Sequence, residues 1–149
     1  MSVSAATLAQ MVRTSAGALG KAASALDDKF TWSPLDKGRS AHDQVLEVAG
    51  LFLIAKQTVE SGELPPLDRS AHIQSMQTFD TPQKALKQLE DAADLLAIAV
   101  EVAPMERLAT VVTLPFGGGM DKTIAEVVLM CYWNTVYHEG QVNYVSTLV

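Results

Sequence analysis

Three polar side chains near the carboxyl end of the chain have helical spacing. Asn134, His138 and Gln141 are four and three residues apart, so a helix would carry them on one face. Aliphatic side chains share that face, which predicts that it is turned inward: Ile124, Val127, Val128, Cys131, Val145 and Leu148. A second histidine, His42, begins another apolar stripe. Buried polar side chains need partners, so these residues are the first candidates for chemistry.

Two imidazoles and one amide that meet in a protein interior could hold a divalent cation through nitrogen and oxygen. We therefore predict a metal site of His42, Asn134 and His138, with open positions for water or a substrate. Two other interpretations are consistent with the same residues. They could form a metal-free hydrogen-bonded cluster in which Asn134 is structural, or they could occupy unrelated positions.

Four helices must position these residues, and each has recognisable ends. Ser40 and Asp43 have the spacing of a capping box, and Gly62 can end the same helix in a left-handed conformation. Thr81 can cap the next helix, with Pro82 in its first turn. The sequence thus predicts an all-α chain with helices at residues 5–28, 40–61, 82–102 and 121–148.

The connections between these helices differ in character. Residues 63–80 read as a polar connection with two prolines. Residues 108–114 are rich in valine and threonine, which is typical of a short extended piece. Residues 115–119 contain one proline and three glycines, which predicts a flexible turn.

The predicted site imposes a condition on the topology. His42 lies in the first turn of its helix, whereas His138 lies about 17 residues, or roughly 25 Å, into its own. The two can meet only if the second and fourth helices are antiparallel. The order is then up-down-down-up, with a long crossover from the second helix to the third. The connection of about 18 residues is long enough, at roughly 3.3 Å per residue, to traverse a bundle.

Bulk composition restricts the kind of protein. The 149 residues predict a single domain, residues 1–149. A formal charge of −6 without a basic cluster argues against nucleic acid as a partner. The longest uncharged apolar run, Val48–Ala55, is far shorter than the roughly 20 residues of a membrane span. One cysteine, Cys131, and no signal-like amino terminus predict a cytoplasmic protein.

Two segments resemble a known family. The run from Asn134 to Tyr144 is similar to the last helix of DinB-like proteins, in which the pattern His-x-x-x-His-Arg-Gly-Gln is typical. The segment around His42 resembles the start of their second helix, which carries another histidine. The resemblance implies an up-down-down-up four-helix bundle over nearly the whole chain. Here Asn134 stands where the family has the first histidine of the pair, and Glu139 stands where it has arginine.

The resemblance also implies a range of functions. DinB-like proteins commonly hold nickel or zinc with three histidines, some use low-molecular-weight thiols in transferase or isomerase reactions, and many form homodimers. The first hypothesis is therefore an enzyme whose weakly held metal activates a thiol or water, in transferase or hydrolase-type chemistry on a small molecule. The alternative is a non-catalytic, stress-related or ligand-binding bundle whose degenerate site holds no metal. The sequence leaves open whether the chain is an enzyme.

Overall fold

The computed structural model describes residues 3–35 and 37–149 and is mostly helical. Four long helices dominate it: α1 (Ala5–Ser24), α2 (Ala41–Ser61), α4 (Pro82–Val102) and α6 (Ile124–Ser146). Two shorter helices lie between them: α3 (Arg69–Thr78) and α5 (Met105–Leu108). A 3₁₀ turn follows α1 (Asp27–Lys29), and two strands precede α6: β1 (Val111–Leu114) and β2 (Met120–Thr123).

Side-chain caps set the starts of the long helices. The Ser40 hydroxyl accepts a hydrogen bond from the Asp43 amide at 3.1 Å, and the Thr81 hydroxyl accepts one from the Lys84 amide. Gly62 ends α2 at a φ of +81°, in the left-handed conformation. The predicted bounds of α2 and α4 are thereby confirmed. The return hydrogen bond of the predicted capping box, from the Ser40 amide to the Asp43 carboxylate, does not form. The carboxylate binds Arg39 and His72 instead.

Other predicted bounds were wrong. The last helix begins at Ile124 rather than residue 121, because the three residues before it pair with β1. The first helix ends at Ser24, before the 3₁₀ turn. The connection at residues 63–80 contains α3, and the predicted turn at residues 115–119 joins the two antiparallel strands, in which Leu114 faces Met120.

The core lies between the four long helices. Helices α1 and α2 each pack against both α4 and α6. The largest side chains in this core are fully or almost fully buried: Leu19, Phe30, Leu46, Phe52, Leu89, Leu96 and Ile124. Helix α3 contributes no fully buried residue, but its Met76 packs against the core. Within the described residues, the structure has no helix long and apolar enough to cross a membrane.

Contacts along α2 and α6 show how the two helices are aligned. The Cys131 Sγ lies 3.9 Å from the Leu51 carbonyl oxygen. Further along α6, the His138 ring lies against Gln44, nearer the start of α2. Residue numbers therefore rise along one helix as they fall along the other, and α2 and α6 are antiparallel where they touch.

Contacts at both ends of α2 relate it to α4. Near the start of α2, His42 Nε2 lies 2.6 Å from the carbonyl oxygen of Phe79, shortly before α4 begins. At the other end, Arg107 Nη1 donates to the Val59 carbonyl oxygen at 2.9 Å, and Arg107 follows α4 closely in the chain. The starts of α2 and α4 thus lie near each other, and so do their ends.

Candidate functional site

The site is built around a buried histidine on α6. His138 is 2% exposed, with Nδ1 at 2.7 Å from Gln44 Oε1 and Nε2 at 3.3 Å from Glu47 Oε1. The amide nitrogen of Gln44 donates to the Arg39 carbonyl oxygen at 3.3 Å, which directs the amide oxygen toward the imidazole. An amide oxygen can only accept, so Nδ1 of His138 carries the proton in that bond.

This assignment has a consequence at the other ring nitrogen. In a neutral imidazole with a proton on Nδ1, the lone pair of Nε2 points at the Glu47 carboxylate, which also has only lone pairs to offer. Two such atoms 3.3 Å apart need a positive charge between them. The charge can be a second proton on His138 or a metal cation. A proton on Nε2 makes this contact the hydrogen bond that lowers the pKa of Glu47, and a metal cation bound by both atoms would take the place of that proton.

A chain of ion pairs and hydrogen bonds extends from Glu47 to the surface. Arg39 Nη2 contacts Glu47 Oε2, Arg39 Nε lies 2.5 Å from Asp43 Oδ2, and His72 Nε2 on α3 lies 2.6 Å from Asp43 Oδ1. The hydrogen bond from His138 and the bonds and charge of Arg39 lower the pKa of Glu47 to about 2. Burial acts to raise the pKa of Asp43, but the bonds from Arg39 and His72 outweigh it, and the pKa is lowered. Both carboxylates are therefore ionised at neutral pH.

His42 has a different environment. Its Nε2 lies 2.6 Å from the Phe79 carbonyl oxygen, and its ring packs against Phe30 at a centroid distance of 5.7 Å. On α2 it points about 140° away from Glu47, at roughly 100° per residue. No hydrogen bond joins His42 to Asn134 or His138 in the described part of the chain. The metal site of His42, Asn134 and His138 stays a prediction, with His42 held by contacts of its own.

Asn134 lies one turn before His138 and is incompletely paired. Its Oδ1 is buried and has no hydrogen-bond partner within residues 3–35 and 37–149. The side chain also lines an apolar cavity between α2 and α6. A buried acceptor without a donor costs about 1–3 kcal/mol, so this oxygen is a candidate ligand atom for a cation or a bound molecule.

Aromatic side chains cover the outer edge of the site. Tyr137 meets the His138 ring edge-on at 5.6 Å and stacks on Trp133 at 5.9 Å. Gln141 Nε2 donates to the Tyr137 hydroxyl at 3.0 Å, so Gln141 orients this neighbouring ring. Tyr137 and Trp133 are half-exposed or more, and they separate the imidazole from the solvent on this side.

The fold is similar to that of proteins of solved structure. No family model and no curated protein matches the sequence. Among solved structures, the mycothiol-dependent maleylpyruvate isomerase is similar, with a TM-score of 0.74, 15% identity, and coverage of 94% of this chain and 61% of that one. A histidine-to-alanine mutant of that isomerase matches equally well. YjoA, a DinB-like protein from Bacillus subtilis, matches with a TM-score of 0.70, 14% identity, and coverage of 95% and 90%.

The chain has the DinB-like fold. The resemblance of its two segments to DinB-like proteins is confirmed at this level. The chain spans about three fifths of the length of the isomerase that it matches, 61%. At 14–15% identity the similarity concerns the fold.

Within this DinB-like fold, several residues of the site escaped the sequence analysis. Arg39, Gln44, Glu47 and His72 were not among its candidates, and Asp43 was expected only as part of a cap. Glu47 had a detectable signal, because it interrupts the otherwise apolar run from Val45 to Ala55, three residues after Gln44. That spacing puts both side chains on one face of α2, where they can meet a histidine from another helix.

The DinB-like resemblance implies a divalent metal at this site. Two ligands bound to one zinc ion at about 2.0–2.1 Å in tetrahedral geometry are separated by roughly 3.3 Å. Glu47 Oε1 and His138 Nε2 have that separation. The unpaired Oδ1 of Asn134 is a weaker third donor. No group of three or more His, Cys, Asp and Glu residues that could hold a metal forms in the described chain, so Glu47 and His138 are the two strong donors that a cation would find here.

Cys131, the single cysteine, is expected to be inert in the folded protein. Burial raises the pKa of its thiol to about 12, so almost no thiolate is present at mildly alkaline pH. We expect a disulfide reagent to label native protein at least about a hundredfold more slowly than protein unfolded in guanidinium chloride. Absorbance of the released thiol measures both rates. Equal rates would show that the thiol is accessible and ionisable in the fold.

Proposed function

We propose that the chain acts on or binds a small molecule at the junction of α2 and α6, and that a weakly held divalent cation is bound there by Glu47, Asn134 and His138. One observation carries the proposal. Gln44 fixes the proton of His138 on Nδ1, so that Nε2 faces an ionised carboxylate across 3.3 Å. Nickel and zinc both accept this combination of imidazole, carboxylate and amide oxygen.

The chemistry that such a cation supplies when bound is activation of a thiol or water toward an electrophile. The remaining roles belong to the chain itself. Gln44 holds the imidazole in one tautomer, and Arg39 holds the second carboxylate oxygen of Glu47, so both strong donors are oriented in advance. Tyr137 shields the imidazole from water on its outer side. The activity that we propose is a thiol-dependent transferase or hydrolase-type reaction.

The mycothiol-dependent maleylpyruvate isomerase supports a low-molecular-weight thiol as the partner, since its fold is similar. We extend the proposal to the topology, the oligomeric state and the cellular location of the protein. The contacts at both ends of α2 support an up-down-down-up bundle with α3 in the crossover, within one domain. A homodimer in the cytoplasm, without nucleic acid or membrane as a partner, completes the proposal.

A second candidate function rests on a different feature of the pair formed by Glu47 and His138. Arg39 already compensates the charge of Glu47, and a proton on His138 Nε2 would satisfy both atoms without a metal. In that case the chain is a non-catalytic ligand-binding bundle, and the buried histidine is structural. The two candidates differ in whether metal binds to the purified protein.

Titration of metal-free protein with nickel or zinc distinguishes them. By calorimetry we expect one equivalent to bind, with a dissociation constant of about micromolar for so few strong ligands. His138→Ala and Glu47→Gln should each weaken binding at least about tenfold. His42→Ala is the matched control and should leave binding unchanged.

Other outcomes are equally informative. Loss of binding in His42→Ala but not in Glu47→Gln would favour the set predicted from the sequence. No binding to the wild-type protein would remove the metal proposal and leave the second candidate. Consumption of a low-molecular-weight thiol in the presence of activated small electrophiles, dependent on added metal and lost in His138→Ala, is the expected sign of catalysis.

A further inference from the structure

Helix α6 carries apolar side chains on the side that faces away from the core as well as on the buried side. Its buried residues, among them Val128 and His138, point into the bundle. The opposite side, which we call the outer face of α6, consists of Leu129, Trp133, Val136, Tyr137, Gly140 and Tyr144. All six residues are exposed, Trp133 and Tyr144 to 66%. A helix that is apolar on both sides is typical of one that is covered on both sides.

The distribution of charge favours the outer face as the place where two copies of the chain meet. The protein has a formal charge of −6, so two copies repel each other over most of their surfaces. In the sequence from Val127 to Val149, Glu139 is the one residue among Asp, Glu, Lys and Arg. Helix α4, which has a similar length, carries Lys84, Lys87, Glu90, Asp91, Asp94 and Glu101. A second copy therefore meets little like charge on α6.

Gly140 leaves a depression in the middle of the outer face. In the part of the chain that the structure describes, a Cβ at this position would have nothing but its own helix within 4 Å. An open groove of about 690 Å³ runs past the glycine, between Tyr137 and Tyr144 on α6 and residues 37–39. Glycine inside a helix is destabilising. A side chain from another molecule that fills the depression would offset this cost.

The outer face is complementary to itself. Two copies of α6 that pack antiparallel about a two-fold axis beside residues 136–137 bring together residues that are equally far from that point along the helix. Trp133 then faces Gly140, and Tyr144 faces Leu129. A large aromatic side chain thus meets a smaller residue at each position, and every such contact occurs twice. A two-fold contact requires this matching of large with small about one point, whereas a different kind of partner does not.

The exposed area is that of a dimer interface. A buried Trp or Tyr contributes about 150–250 Å², and Trp133, Tyr137 and Tyr144 are 52–66% exposed, so these three present roughly 350 Å². The largest apolar patch on a typical monomer is about 300–600 Å² in total. Leu129, Val136 and the walls of the groove bring the outer face toward the roughly 800 Å² that each partner contributes to a stable interface.

We propose that the outer face of α6 is the interface of a two-fold dimer, in which Trp133 of each copy fills the depression at Gly140 of the other. The inference rests on the homodimer of the proposed function and names its surface. It also completes the histidine site. Tyr137 meets the His138 ring edge-on and lies beside the axis, so the second copy covers its exposed side. Both chains then build the wall between the buried imidazole and the solvent.

Sedimentation equilibrium of the full chain tests the interface. We expect a mass of twice 16.0 kDa above about 10 μM, because interfaces of this size have dissociation constants of about micromolar or tighter. Gly140→Gln should weaken the dimer about tenfold at each of the two symmetric contacts, and so about a hundredfold, because the new side chain occupies the space of Trp133.

Gly17→Gln in α1 is the matched control. Gly17 is also an exposed helical glycine with nothing within 4 Å of an added Cβ in the described chain. Both substitutions should stabilise the folded monomer, since glutamine favours a helix more than glycine does. Gly140→Gln alone should weaken the dimer, and circular dichroism verifies that both variants are folded.

Cysteine variants test the register of the two helices. Val136→Cys puts two thiols beside the axis, at a distance between Cα atoms of about 4.4–6.8 Å that a disulfide can span, and should cross-link the dimer under mild oxidation. Leu129→Cys is the control on the same face. Its two copies lie about 22 Å apart along antiparallel helices and should not cross-link. The native Cys131 is buried and stays reduced in both variants.

Four results would overturn the inference: a monomer at every concentration, a dimer that Gly140→Gln leaves intact, a dimer that Gly17→Gln weakens equally, or a cross-link in Leu129→Cys that equals the one in Val136→Cys. The result for the metal is separate, because His138→Ala should lose metal and keep the dimer. Metal binding to a monomeric wild-type protein would refute this inference alone, and a dimer that binds no metal would refute the metal proposal alone.

Discussion

Replacing Asn134 with histidine is expected to raise the affinity for nickel or zinc by about two orders of magnitude. The substitution puts a second imidazole four residues before His138 on the same face of α6, where the structure has a buried oxygen without a donor. Imidazole nitrogen is a better ligand for these metals than an amide oxygen. If four ligands of a structural zinc site share about 10–16 kcal/mol, one good ligand contributes about 3 kcal/mol.

Calorimetric titration of the metal-free variant measures the gain. Asn143→His is the matched control, because it makes the same chemical change on an exposed position of α6 that is five residues beyond His138. The control should bind metal as the wild type does. An equal gain in both variants would mean that the added histidine acts anywhere on the helix, and Asn134 would then not belong to a metal site.

Replacing Phe52 with alanine is expected to give the largest loss of stability of any single truncation in α2. The side chain is 0% exposed in the core between the long helices. Removal of a buried phenylalanine ring costs about 3–5 kcal/mol of the free energy of unfolding, through lost burial and the cavity left behind. For a domain with a total of about 5–15 kcal/mol, this is a large fraction.

Denaturant unfolding followed by circular dichroism gives the free energy of unfolding of each variant. Phe116→Ala makes the same truncation in the β1–β2 turn, where the ring is 51% exposed, and should cost less than about 1 kcal/mol. Similar costs in the two variants would contradict the placement of Phe52 in the core.

Local signals explain which parts of the fold were predictable. Both ends of α2 and the start of α4 follow from Ser40, Gly62 and Thr81, whose effects involve only residues three or four positions away. The start of α6 was misplaced because residues 120–123 pair with residues 111–114. That pairing depends on residues about ten positions apart, and no pattern within the segment itself indicates it.

In the site, too, one residue was predictable from its own helix and its partners were not. The inward position of His138 follows from the spacing of the apolar stripe on its own helix. Its partners depend on the rotation of α2 about its axis, which decides whether His42 or the Gln44–Glu47 pair faces α6. Both faces of α2 are covered by neighbouring helices, so its broad apolar pattern does not select one of them. The structure turns Gln44 and Glu47 toward His138 and turns His42 toward Phe79.

Helix α3 has a different relation to the rest of the molecule. None of its side chains is fully buried, although Met76 packs against the core, and the hydrogen bond between His72 and Asp43 is its main polar contact with α2. Its length and composition are therefore only weakly constrained by the packing of the bundle, and we expect insertions there to be tolerated. For protein engineering, the segment between α2 and α4 is a natural place to graft a reporter domain or an affinity tag while the four long helices keep their packing.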